Sequence, residues 1–136
     1  MCIKVICVIL LLSLSGCSLT GEPVDSYKPT GNPSFQLFDN LSCRMEVSSH
    51  KPAVGETVSL LALTSEKPKV LFSSSGVTSP MQKVFESDDT VVIQLVASTS
   101  GSTDTVVLNK KNGTFARSSS GNFFGVYASA GIGSCK

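Results

Sequence analysis

The stretch Thr90-Val91-Val92-Ile93-Gln94-Leu95-Val96-Ala97 decides the fold class. Five of its eight side chains are β-branched, which stiffens χ1 and suits an extended, pleated backbone better than a helix. The run is short and apolar on both faces, and Asp88-Asp89 stop it on the N-terminal side, so it predicts a buried central strand. Working outward, Cys43-Arg44-Met45-Glu46-Val47 alternates apolar and charged residues with period two, the pattern of a half-buried strand. Thr57 to Thr64 predicts another strand with Val58, Leu60 and Ala62 on one face and Leu61 and Leu63 on the other. Lys69 to Ser73 continues the set, and Met81 to Glu86 is too short to assign. Asp104–Leu108 and Thr114–Arg117 flank Asn109-Lys110-Lys111-Asn112-Gly113 as a hairpin, since Asn-Gly readily reaches positive φ. Phe123 to Ala128 predicts a last strand that runs on through Gly131 and Gly133 to Cys135, where small side chains permit close approach of a neighbour.

Turn chemistry separates these runs: Lys51–Glu56, Glu66-Lys67-Pro68 and Ser74-Ser75-Gly76. The quartet Ser-Ser-Ser-Gly occurs at Ser73–Gly76 and again at Ser118–Gly121 and reads as turn sequence, too short to establish duplication. No segment sustains a helical period. The expectation is therefore an all-β domain, a small antiparallel sandwich or barrel, with the choice between the two open.

The chain has 136 residues, which limits it to one compact domain. Eleven Lys+Arg against ten Asp+Glu leave a net charge of +1 with no basic stripe, so an electrostatic grip on nucleic acid is not expected. There is no Trp and a single His, which thins out base-stacking platforms, multi-histidine metal cages and imidazole acid–base networks.

The N-terminus carries one cation, Lys4, followed by an apolar run from Val5 to Leu14. About 20 apolar residues are needed to span a bilayer as a helix, so this run is a removable leader and not a permanent anchor. It ends in Leu14-Ser15-Gly16-Cys17, and here the chain resembles bacterial lipoprotein signal peptides, whose lipobox pairs an aliphatic residue and two small residues with a cysteine. The resemblance covers residues 1–17 only. It implies that residues 1–16 are removed, that Cys17 carries fatty acyl chains, palmitate among them, and that the protein is held at a membrane without a spanning segment. Ser18, standing where an inner-membrane lipoprotein of this class commonly has Asp, implies the outer membrane, with the domain facing the periplasm. Residues 17–34, with Gly21, Pro23, Pro29, Gly31 and Pro33, read as a tether; Val24, Tyr27 and Phe35 could alternatively dock it on the domain of residues 35–136.

Once Cys2 and Cys7 leave with the leader and Cys17 is acylated, Cys43 and Cys135 remain. In an exported chain they are expected to form a disulfide that brackets nearly the whole domain. A redox role is disfavoured because the pair lacks Cys-x-x-Cys spacing.

Catalytic readings are weak. His50 stands alone in a turn, and no serine sits in a nucleophile elbow. Asp88 and Asp89, adjacent in sequence, point to opposite faces, and with Glu86 they lack the spacing of a calcium loop. The expectation is a non-enzymatic protein with no cofactor and no metal. Lys110 and Lys111 could meet lipid phosphate, but two lysines are weak evidence and a solubilising hairpin tip is the favoured reading. Phe123 and Phe124 point opposite ways on a strand, so one of them, with Val126 or Tyr127, could form a partner surface unless the tether or a second sheet covers it, which is the favoured reading. The function expected is that of a lipid-anchored envelope protein whose β domain binds an envelope protein as an accessory or assembly factor. The alternative is an inhibitor or protective lipoprotein; the layout is similar to periplasmic lysozyme inhibitors and immunity lipoproteins, without their motifs.

Overall fold

The structure, a computed structural model, describes Pro29 and residues 31–50, 53–122 and 125–136. The leader, Cys17, Phe123 and Phe124 lie outside the described residues. The described chain is all-β: β1 (Leu41–Ser48), β2 (Thr57–Leu61), β3 (Lys69–Phe72), β4 (Thr78–Pro80), β5 (Gln82–Glu86), β6 (Thr90–Ala97), β7 (Ser102–Asn109), β8 (Thr114–Asn122) and β9 (Val126–Cys135). They form one antiparallel sheet in the order β4-β3-β2-β1-β9-β8-β7-β6-β5. The two ends of this order, β4 and β5, are separated in the chain only by Met81. A single segment therefore pairs with β3 through its first part and with β6 through its second, which rolls the sheet into a nearly closed barrel of up-and-down strands. Met81 sits at this corner, 2% exposed, and its N–H donates to Pro68 O at 2.8 Å.

Alternation sorts the side chains as expected. Val91 and Ile93 face inward from β6, Val106 and Leu108 from β7, Leu41, Cys43 and Met45 from β1, and all are buried. The largest inward groups stand opposite glycines. A Cβ on Gly133 would lie 2.8 Å from Phe115 and 2.0 Å from the carbonyl oxygen of Arg44, and one on Gly131 would lie 2.2 Å from the Met45 methyl. The glycines in β9 thus vacate the volume that Phe115 and Met45 fill.

Two expectations need correction. Ser118–Gly121 is not a turn: it lies inside β8, paired to β7 on one side and β9 on the other, and cross-strand pairing on both edges overrides its weak strand propensity. Its twin, Ser73–Gly76, does turn, with Gly76 at φ 63°. Ala62 does not share the inward face of β2, because the strand ends at Leu61 and Ala62 takes φ 54°, a reversal that swings Leu63 back into the core.

Cys43 and Cys135 are cross-strand partners on β1 and β9 and are joined by a disulfide across 92 residues. Backbone bonds between Ser42 and Lys136, in both directions, flank the bridge. In the chain-entropy model a loop of this length contributes about 4–5 kcal/mol, a large share of the roughly 5–15 kcal/mol of a typical domain. The Cys43→Ala/Cys135→Ala double variant is expected to lose up to that amount in urea unfolding, and a non-reduced digest should yield the two cysteine peptides as one mass; free thiols at both positions would contradict the fold.

Candidate functional site

The strands divide the loops between two ends of the barrel. One end, the base, collects the β2–β3, β5–β6 and β7–β8 connections, the C-terminus and the incoming chain. The other, the rim, collects the β1–β2, β3–β4, β6–β7 and β8–β9 connections.

At the base, residues 31–40 form a strap. Asn32 N–H donates to Asn112 O, and the Phe35 ring lies where a Cβ on Gly113 would come within 2.5 Å of it. Asp39 accepts from the Thr64 N–H and hydroxyl at 2.9 and 2.6 Å, while Asn40 Oδ1 accepts from Ala62 N–H. Residues 31–34, assigned from the sequence to the tether, are thus bound to the barrel from Asn32 on. The charged residues singled out in the sequence also gather here and pair with one another. Lys110 donates to Glu86, Lys111 to Asp89, and Lys83 to Glu86. The lysines of the hairpin tip therefore face carboxylates, which removes most of their attraction for phosphate. Among the described residues no group of three or more His, Cys, Asp or Glu converges as a metal site.

The barrel interior changes character along its axis. The layer Val91–Leu108–Phe115–Gly133–Met45 is apolar. Above it the inward position on β8 is Arg117, whose Nε donates to both Asp104 oxygens at 2.9 and 3.1 Å. The guanidinium lies 4.5 Å from the Phe72 ring centroid, and the two charged side chains are 11% and 14% exposed. Ser119 and Ser129, cross-strand partners, are each 9% exposed and line the next level toward the rim. Sequence reasoning missed Arg117 and Asp104; the signal was their matched parity with Phe115 and Val106, which places both charges on the inward face.

At the rim, exposed apolar residues recur: Val77 before β4, Val96 near the end of β6, and Val126 and Tyr127 at the start of β9. Val54, also exposed, lies lower, where the β1–β2 loop folds back along β1 to line an outer groove with Arg44, Ser134 and Lys136. Val126 is the most exposed, at 89%. In the described residues of the four rim loops the ionisable side chains are His50 and Glu56. His50 is exposed, its backbone N–H donating to Ser48 Oγ, and among the described residues no acid or nucleophile is bonded to its ring. Burial opposes ionisation of Glu56, but bonds from the Ser74 hydroxyl and N–H and from Ala53 N–H, with the Arg117 charge, hold its carboxyl below the ordinary value of 4.5. Tyr127, expected on a partner surface, is thus placed at the rim, exposed.

A second apolar feature lies on the outer wall. Phe85, Val92, Val107, Ala116, Ile132 and Val47 are successive cross-strand partners from β5 to β1, a row about 24 Å long at the usual strand spacing. Part of it floors a shallow groove of about 380 Å³.

Removing one member of the interior ion pair strands the other in a poorly hydrated site. Arg117→Met is therefore expected to cost about 3 kcal/mol in urea unfolding, and adding Asp104→Leu should recover most of the loss. Acid sensitivity follows from the carboxylates. The Thr64 bonds depress Asp39, the set of bonds above depresses Glu56, and Lys83 and Lys110 depress Glu86. A carboxylate depressed in the folded state stabilises above its unfolded value, and that contribution fades as pH falls through the lower native value. Melting temperature should hold down to about pH 5 and then decline, with a shallower decline in Glu56→Gln.

No protein-family model matches the chain, and neither a curated protein nor a solved structure matches it.

Proposed function

We propose that this chain is a lipid-anchored envelope protein, held at the membrane through Cys17, whose barrel binds another envelope protein as an accessory or assembly factor. The observation that carries this reading is the exposure of Val77, Val96, Val126 and Tyr127 at the rim end of the barrel. Exposed apolar side chains at one end, with few charges in the loops there, have the composition of an interface centre. That end is also the one farthest from the entry of the N-terminal chain, so a barrel anchored through its N-terminus presents the rim away from the lipid. Non-enzymatic action is part of the proposal. The interior serines Ser119 and Ser129 lie between the Arg117–Asp104 pair and the rim with no imidazole beside them, and His50 stands outside on a loop, its N–H bonded to Ser48.

The full-length protein, purified from detergent-solubilised envelope after brief cross-linking, is expected to carry one stoichiometric partner. Val126→Asp should reduce recovery of that partner at least tenfold without lowering the melting temperature, whereas Val107→Asp in the outer groove should leave recovery unchanged. Loss through Val107→Asp alone would move the interface to the outer wall. Recovery of a secreted or phage-derived lytic enzyme would replace assembly by protection.

A further inference from the structure

We infer that the base of the barrel is a lipid-contacting surface, seated on the bilayer through Leu37 and Phe38 of the strap, and that this contact orients the rim outward. The inference rests on the anchoring reading above and adds a second, non-covalent contact to it. Leu37 and Phe38 are 38% and 57% exposed, although the neighbouring Phe35 is packed against the core. Nothing in the barrel requires two large apolar side chains to face water in a segment that otherwise docks through Asn32, Asp39 and Asn40. Their position supplies the reason. Eleven residues lie between Cys17 and Pro29, so Pro29, two residues before the strap, lies within about 43 Å of an acylated Cys17 in any conformation of the intervening chain. Such a short connection gives the base a high effective concentration at the bilayer, where even a weak apolar contact is occupied.

The charges select the kind of lipid contact. The base lysines closest in sequence to a membrane-binding signature, Lys110 and Lys111, are engaged by Glu86 and Asp89. Lys67, Lys69 and Lys136 also lie at this end, but with Lys83, Lys110 and Lys111 they are nearly balanced by Asp39, Glu66, Glu86, Asp88 and Asp89. Net attraction to anionic headgroups is therefore small, and the contact is an apolar insertion of Phe38 and Leu37 at the headgroup–acyl boundary, indifferent to lipid charge. The groove beside Phe38, about 440 Å³ between the strap and the Cys135–Lys136 end, leaves that side chain room to turn toward the lipid without disturbing the core.

The chain contains no Trp, so a single introduced indole reports its own surroundings. The full-length Phe38→Trp protein, and Val126→Trp as its counterpart at the rim, would be reconstituted into phosphatidylcholine vesicles with and without brominated acyl chains, and the mass of the Cys17 peptide measured in the same preparations. The expected result is a blue-shifted emission for Phe38→Trp with at least twofold quenching by brominated lipid, equal in vesicles containing phosphatidylglycerol, and no quenching for Val126→Trp. An acylated Cys17 with an unquenched Phe38→Trp overturns the docking and leaves the anchor standing. Quenching with an unmodified Cys17 supports the docking and removes the anchor. Absence of both removes both, and quenching that requires phosphatidylglycerol overturns the apolar mechanism.

Discussion

The structure depends on the closure of a single sheet upon itself. Except at β4 and β5, which are consecutive parts of one segment, every strand pairs with its neighbours in sequence, and the first and last strands are also paired, so β1 and β9 complete the circuit. Their register is held at one end by the Cys43–Cys135 bridge and the reciprocal Ser42–Lys136 backbone bonds, and on the far side of the barrel the break at Met81 lets one segment serve two neighbours. An open sheet of this length would offer edges for pairing with other chains; closure uses those donors and acceptors internally. The bulge at Glu46 in β1 and the irregularity at Val84 in β5 are the local adjustments that a curved sheet requires.

Closure also decides what the interior can hold. Eight staves leave room for side chains and little else, so bulk on one strand must be matched by its absence on the next. Phe115 opposite Gly133 and Met45 beside Gly131 meet that condition in the lower half. In the upper half the chain places a charge pair instead of another apolar layer. Arg117 spans from β8 to Phe72 on β3 and is neutralised by Asp104, so the interior is capped by a group that is desolvated yet bonded. Such a pair contributes less to net stability than hydrophobic packing of equal volume, while the loss of either partner is costly.

The two ends of the barrel are chemically unlike. The base carries the strap and interlocked lysines and carboxylates; the rim carries serine, glycine and exposed valine. In the proposed reading this polarity is functional: one end meets lipid beside the entering chain, and the other is presented to a partner. The division arises from chain direction alone, since in an up-and-down barrel alternate loops fall at opposite ends and the N-terminal strap must join the end at which β1 begins.

The sequence by itself determined the all-β class, the strand at Thr90–Ala97 to its exact residues, the alternation in β1 and the pairing of Cys43 with Cys135, because these rest on local periodicity and on cysteine count. It also pointed to Val126 or Tyr127 as exposed, though not to Val77 and Val96, which lie far apart in the chain and share one end of the barrel only through its topology. Ser118–Gly121 was illegible as strand because its strand character comes from neighbours on both sides. Arg117 and Asp104 likewise gave no local signal, since an ion pair inside a barrel depends on which face curls inward. Barrel over sandwich, the continuity of β4 with β5 and the contrast between the ends were decided by tertiary structure alone: each follows from curvature and register, and no window of sequence contains either.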